Sequence, residues 1–275
     1  MDEEIIGVGP TSELSLRISA ATLCRVIFQG LEDGIRMLAL EHKAFLDYYG
    51  GGSQVIVQVQ PFGGGIRILD KKRFSKIAGG FNFDSKRSYS EGDFRIFIEP
   101  NKWQDVRNFF IRNLGKGGST VLESSPTREL VEEFHDTLGI QLSPNQYTIE
   151  PSGVIVEDEP VPTANLRAAG KPTVRIYLVY EVNILDPGLV NLMKSSSVAN
   201  TAQALQDLVL VDAQNGGKGR ANAIMVVSEE LIRKAYNDLS PENRAEPLVF
   251  EGKLLEGNVA AVLEGVNVPK YQHFV

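Results

Sequence analysis

The chain has one cysteine, one tryptophan and three histidines in 275 residues. The lone Cys24 excludes an intrachain disulfide, and its apolar surroundings make it a buried structural thiol rather than a nucleophile. His42, His135 and His273 stand far apart, so a zinc site of ordinary ligand spacing is not expected. Long apolar runs are missing too: no stretch reaches the roughly 20 residues of a membrane span. The acidic start Met1-Asp2-Glu3-Glu4 has the wrong charge for a signal peptide, so a cytoplasmic protein with no membrane partner is expected. Positive charge is in deficit, with a net charge of -7 and a pI near 5.2. That balance argues against binding nucleic-acid backbone as the main task, and no strong nucleic-acid signal is present.

What remains is an ordinary globular composition, long enough for one large domain or two modest ones. The densest local signal is Thr127-Arg128-Glu129-Leu130-Val131-Glu132-Glu133-Phe134. At about 100° per residue, Glu129, Glu132 and Glu133 share one side of a helix while Leu130, Phe134 and Leu138 take the other. Ser125 suits the N-cap, Pro126 the first turn and Gly139 the left-handed stop. Carboxylates one turn apart repel, so three together point to a hard divalent cation such as Mg²⁺. The plainer alternative is a solvated acidic face near a helix N-terminus, which the dipole favours. His135, on the flank, is expected at the surface.

Residues 19–49 read as an N-terminal helix with apolar positions at Leu23, Val26, Ile27, Ile35, Leu38 and Leu46, weakened at Gly30 and Gly34 and ended by Gly50-Gly51-Gly52. Residues 53–59 alternate as a half-buried strand that delivers the chain to Pro61-Phe62-Gly63-Gly64-Gly65. This glycine run is either an ordinary tight turn or a phosphate-cradling loop. The segment 66–118 holds the most basic stretch, including Arg67, Lys71, Lys72 and Arg73, then a strand at 93–99 and a helix at 101–114 with Trp103 and Phe109 toward the core. Strand-like pieces fill 146–156, with an irregular loop at Glu157-Asp158-Glu159. Residues 174–184 form the strongest strand, hydrophobic enough to be central in a sheet. Residues 209–211 read as a short strand, 215–220 as a surface loop, 224–227 as a strand, and 229–239 as a helix. The tail beyond Pro247 has no clear pattern.

The strand ending in Gly63-Gly64-Gly65 and the later Arg128-Glu129-Leu130-Val131-Glu132-Glu133 together resemble the two ends of a Nudix box. The Arg-Glu-Leu-x-Glu-Glu core is complete. Two departures surround it: a long segment, 66–123, stands where the family has a short loop, and five residues rather than one precede Gly139. Gly117 and Glu123 have the family's mutual spacing, but Glu123 lies too close to Arg128, so the Gly63–Gly65 run is preferred for the turn.

The resemblance implies a Nudix-like α/β/α sandwich with a mixed central sheet over residues 53–245. An N-terminal helical extension (1–52), an insertion at 66–120 before the Nudix helix and a C-terminal tail (246–275) would surround it. It implies Mg²⁺ or Mn²⁺ held by Glu129, Glu132 and Glu133, with Glu129, Glu133 and Arg128 as catalytic residues and Arg128 orienting a glutamate. Gly63, Gly64, Gly65 and Arg67 would bind the substrate, a nucleoside-diphosphate-linked or similar pyrophosphate, which the cation would help an activated water to cleave. Glu123, Glu157 and Glu181 all stay open as general base. A catalytically degenerate ligand-binding or regulatory module of the same fold is the alternative, and a structural protein with a solvated acidic helix is a third. A homodimer is compatible with either of the first two.

Overall fold

Strands, not a helix, occupy residues 16–29 and 36–47. The computed structural model describes residues 6–30, 34–47, 54–113, 120–163, 168–199 and 201–274. In it Leu16–Gln29 is strand β1 and Arg36–Asp47 is strand β2. They pair antiparallel from Val26 opposite Ala39 to Gln29 opposite Arg36, so the expected N-terminal helix is a hairpin. The spacing of Leu23, Val26 and Ile27 suits both periods, because β1 is buried on both faces and its apolar run is nearly continuous. Gly30 and Gly34 make the turn, Gly34 with φ +66°, which glycine adopts without strain. Gly50–Gly52 and Gly117 lie outside the described residues.

The chain continues through β3 (Gln54–Gln60), β4 (Phe62–Gly65), β5 (Arg67–Ile68), helix α1 (Lys71–Ala78), β6 (Asn82–Phe83), helix α2 (Lys86–Glu91) and β7 (Arg95–Ile98). Helix α3 (Trp103–Asn113), β8 (Leu122–Glu123) and helix α4 (Pro126–Leu138) follow, then the long strands β9 (Tyr147–Pro162) and β10 (Pro172–Ile184). The last third is α5 (Pro187–Ala199), α6 (Ala202–Gln214), β11 (Arg220–Ser228), α7 (Glu229–Asn237), β12 (Leu248–Phe250), β13 (Lys253–Leu255), a 3-10 stretch Gly257–Val262 and β14 (Tyr271–Phe274).

Twelve of these strands form one mixed, curled sheet, while β5 and β8 pair apart from it. Strand β1 is its spine. One edge runs parallel to β10 from Arg17 to Ile27; the other takes β7, β4 and β2 in succession, all antiparallel. Strand β10 lies between β1 and β9, the central position its hydrophobicity predicts. On one face, α1 and α3 cover the first half of β1 through Phe74, Trp103 and Phe110, and α4 and α5 cover the second through Leu130, Phe134 and Met193. The opposite face carries α6, α7 and the 3-10 stretch.

Other expectations change as well. Residues 157–162 continue β9 with one register shift, between Glu157 and Val161, and 209–211 lie inside α6. Within the C-terminal tail, β14 pairs with β9 and β13 with β3, and Val259–Val262 are buried. Short apolar pieces whose partners are distant leave no local period to read. Among the described residues, no helix is long and apolar enough to cross a membrane.

Candidate functional site

Helix α4 begins and ends as its sequence dictates. The Ser125 side chain accepts from the Arg128 backbone N–H, Pro126 occupies the first turn, and Gly139 stops the helix at φ +68°. Leu130 and Phe134 drive it onto the sheet, Phe134 packing its ring 4.9 Å from that of Phe62 on β4. This docking turns the side of the helix that carries Glu129 inward, toward the glycine run.

Gly63, Gly64 and Gly65 are therefore not a turn. They form strand β4, paired with Leu23, Thr22 and Ala21 of β1. Their smallness serves close approach: a Cβ on Gly64 would lie 1.9 Å from Glu129 Oε2, and one on Gly65 would lie 2.2 Å from Asp93 Oδ1. Glu129 is only 7% exposed. Burial pushes its carboxyl up to about 7 against the pull of Arg128, with Glu132 and Glu133 adding to the rise.

Arg128 gathers three carboxylates. Its Nε donates to both oxygens of Glu123 at 2.9 Å, its Nη1 to Glu132 Oε2 at 2.9 Å, and its Nη2 to Glu129 Oε1. Burial opposes the guanidinium charge, but these partners outweigh it and raise the Arg128 pKa. Glu123 also accepts from the Ser125 backbone N–H at 3.2 Å, which fixes β8 to the start of the helix. Arg67, exposed on β5, stands directly across from Glu123.

One turn further along, Glu133 reaches strand β2. Lys43 Nζ lies 2.7 Å from Glu41 Oε2 and 3.4 Å from Glu133 Oε1, while Gln60 Nε2 donates to Glu41 Oε2 at 3.0 Å. Glu41 is 0% exposed, and it shares a hydrogen bond with Glu133. Burial first, then the neighbouring Glu133, holds its carboxyl well above the usual range, with Lys43 pulling the other way. Burial also works against the Lys43 ammonium, but Glu41 and Glu133 overcome it and raise the Lys43 pKa.

Glu41 and Lys43 escape the sequence reading because a helix over 19–49 turns them to different sides, and Gln60 because it lies just past the strand read over 53–59. Once β2 is a strand, a glutamate at the centre of Leu38-Ala39-Leu40-Glu41-His42-Lys43-Ala44 is itself the signal, since a mid-strand carboxylate must find a partner.

Two of the carboxylates left open as general base sit elsewhere. Glu157 is ion-paired with Arg175 at 2.8 Å and Lys270 at 3.0 Å, and Glu181 with Arg25 at 2.8 Å and Arg36 at 3.1 Å. Both project from the sheet face opposite α4, because their strand neighbours, Val182 next to Glu181 and Val156 next to Glu157, point to the face that α4 and α1 cover. His135 is exposed on α4, as expected.

The chain matches no family model, no curated protein and no solved structure.

A cleft of about 520 Å³ between Leu16, Pro100, Trp103 and Pro172 holds none of these residues. Of its two carboxylates, Asp158 is already engaged by Trp103 Nε1 and Gln272 Nε2, and Glu159 is exposed at the rim. The acidic helix is where unspent charge collects. Among the described residues, no three acidic, histidine or cysteine side chains converge on one point. Their oxygens are nevertheless the donor type that a hard cation takes. Mg²⁺ commonly needs only one or two protein carboxylates, completing its shell with water and substrate phosphate.

Proposed function

We propose that the chain is a Nudix-like hydrolase that uses Mg²⁺ or Mn²⁺ to cleave a nucleoside-diphosphate-linked or similar pyrophosphate substrate. The observation that carries this reading is the inward turn of Glu129 and Glu133. A merely solvated acidic face would leave them in water, yet Glu129 is wedged against Gly64 and Glu133 against the Lys43–Glu41 pair. Helices on both faces of a mixed sheet are also what an α/β/α sandwich of this kind requires.

Glu132 and Glu133 would hold the cation, which when bound neutralises phosphoryl charge and lowers the pKa of water. Glu129, with its carboxyl near 7, can take the proton of an attacking water at neutral pH. Arg128 holds the Glu129 and Glu132 carboxylates in place, and Arg67, exposed beside Glu123, is free to meet an anionic substrate. A screen of nucleoside diphosphate derivatives with Mg²⁺ or Mn²⁺ tests the proposal. Turnover is expected, and Glu132→Gln and Glu133→Gln should each lower it by about 10²-fold or more while the fold survives. Absence of turnover across the screen refutes it.

The second reading, a ligand-binding module that has lost the chemistry, is favoured by one feature: Arg128 and Lys43 already neutralise the helix carboxylates. Such a module would be thermally stabilised by the same compounds without releasing product.

A further inference from the structure

Strand β2 carries the sheet face under α4 outward, beyond the glutamates. Its alternate residues Glu41, Lys43 and Phe45 point to one side, the side on which Lys43 meets Glu133. The neighbouring strands extend each of them into a row. Gln60 and Ile224 flank Glu41, Gln58 and Asn222 flank Lys43, and Ile56 and Arg220 flank Phe45. Residues directly opposite one another in antiparallel strands share a face, so the three rows lie on it together.

The first row is closed by the helix, since Ile224 packs in the same cluster as Leu130 and Phe134. The outer two rows stay open. Lys43, Phe45, Ile56, Gln58 and Asn222 are half-buried and Arg220 is exposed. Phe45 and Ile56 join none of the apolar clusters of the described residues, although Leu46, Val55 and Val57, on the other face, pack with Leu205 and Val209 of α6. Among the described residues, the Gln58 and Asn222 amides and the Arg220 guanidinium have no hydrogen-bonded or ion-paired partner.

A half-exposed ring by itself is ordinary. This one lies between a guanidinium and two uncommitted amides, and together these are the contacts that a flat heteroaromatic ring takes: an aromatic face to stack on, an arginine beside it, and donors and acceptors for its edge. Residues two apart along a strand stand about 7 Å apart, so the Phe45 row lies roughly 7 Å beyond Lys43 and roughly 14 Å beyond Glu41. A nucleoside spans that distance between its base and its phosphates.

We propose that Phe45, Ile56 and Arg220 seat an aromatic base whose polar edge is bound by Gln58 and Asn222, so that the substrate is a nucleoside compound lying along β2 with its phosphates toward α4. The inference rests on the hydrolase reading above for the place of the phosphates. The seat itself uses no residue of the glutamate helix or the glycine run. A diphosphate whose organic part is a polyol or an isoprenoid would leave the ring and the amides unused. A nucleic-acid strand is disfavoured, because the net charge of -7 and the glutamates at the inner end of the rows repel a run of phosphates.

Titration calorimetry on the full chain with the common nucleoside 5′-monophosphates, and with ribose 5-phosphate as the ligand without a base, tests the proposal in the absence of turnover. At least one nucleotide should bind about tenfold or more tighter than ribose 5-phosphate, and Phe45→Leu, which keeps an apolar side chain but removes the ring, should weaken it about 5–100-fold. Because Phe45→Leu also alters a half-buried position, Arg220→Gln is measured beside it; this exposed residue should cost about 2–5-fold in nucleotide affinity with no change in Tm. If ribose 5-phosphate binds as tightly as every nucleotide, or nucleotide affinity is indifferent to both substitutions, the seat is refuted, while turnover of any diphosphate keeps the hydrolase reading. If nucleotides bind through Phe45 and no diphosphate is turned over, the seat stands and the hydrolase reading falls. A short single-stranded oligonucleotide that outbinds its own mononucleotide would overturn the assignment to a small nucleoside compound.

Discussion

Gly64→Ala puts the site's closest contact to the test. The added methyl would meet Glu129 Oε2 at 1.9 Å, Cδ at 2.5 Å and Oε1 at 3.0 Å. To reach ordinary contact the carboxylate must retreat by about 1.5 Å, and that movement breaks its bond to Arg128 Nη2. A charge-assisted hydrogen bond contributes about 1.5–3 kcal/mol, part of which the displaced carboxylate regains from water. The expected loss is therefore about 1–3 kcal/mol, a fall in Tm of roughly 2–5 °C for a chain of this size. Backbone strain adds nothing, because Gly64 has no left-handed φ. A double-mutant cycle isolates the contact: in a Glu129→Ala background Gly64→Ala should cost under about 0.5 kcal/mol, since the obstacle has gone. Gly63→Ala is the contrasting control. Its methyl would meet the backbone oxygen of Thr22 at 2.0 Å, its φ is +143°, and no side-chain movement relieves either, so its cost should persist in both backgrounds. Thermal melts of the five variants and the wild type suffice. Equal costs of Gly64→Ala with and without the Glu129 carboxylate would refute the placement of that carboxylate against β4.

Two further outcomes follow from charge burial. Since burial raises Glu129 from its ordinary 4.5 to about 7, the native state binds its proton more tightly than the unfolded chain does. Its contribution to stability is full below about pH 4.5 and lost as pH rises through 7, an effect on the order of 1–2 kcal/mol once solvent screening is allowed for. Glu129→Gln should thus gain on the wild type in melts at pH 8.5 compared with pH 5.5, and an identical difference at both pH values would contradict the assignment. Far from the site, Arg17 Nη2 lies 2.7 Å from Asp84 Oδ2, with both side chains fully buried, and Asp84 also accepts from Ser88 Oγ at 2.6 Å. Asp84→Ala leaves the guanidinium uncompensated and should cost about 3–5 kcal/mol in urea denaturation; a cost below about 1 kcal/mol would mean that the pair is not buried as described.

Helix α4, to within its caps, and the central strand β10 are legible from local residues alone. Ser125, Pro126 and Gly139 act on backbone groups within a few residues, so their effect is written locally. The run Ile176-Tyr177-Leu178-Val179-Tyr180, extended by Val174, Val182 and Ile184, leaves few alternatives to a covered strand. Tertiary structure alone decided what residues 19–49 become. Their apolar spacing suits helix and strand alike, and partners more than a hundred residues away, on β10 and β11, settle it by pairing. The same holds for the glycine run, which reads as a turn until β1 claims it as a strand and Glu129 fills the space its missing side chains leave. The chemistry of the site divides along the same line. Three glutamates one turn apart are visible in six residues of sequence, but Glu41 and Lys43 stand some ninety positions from Glu133, and only the folded sheet brings them to it.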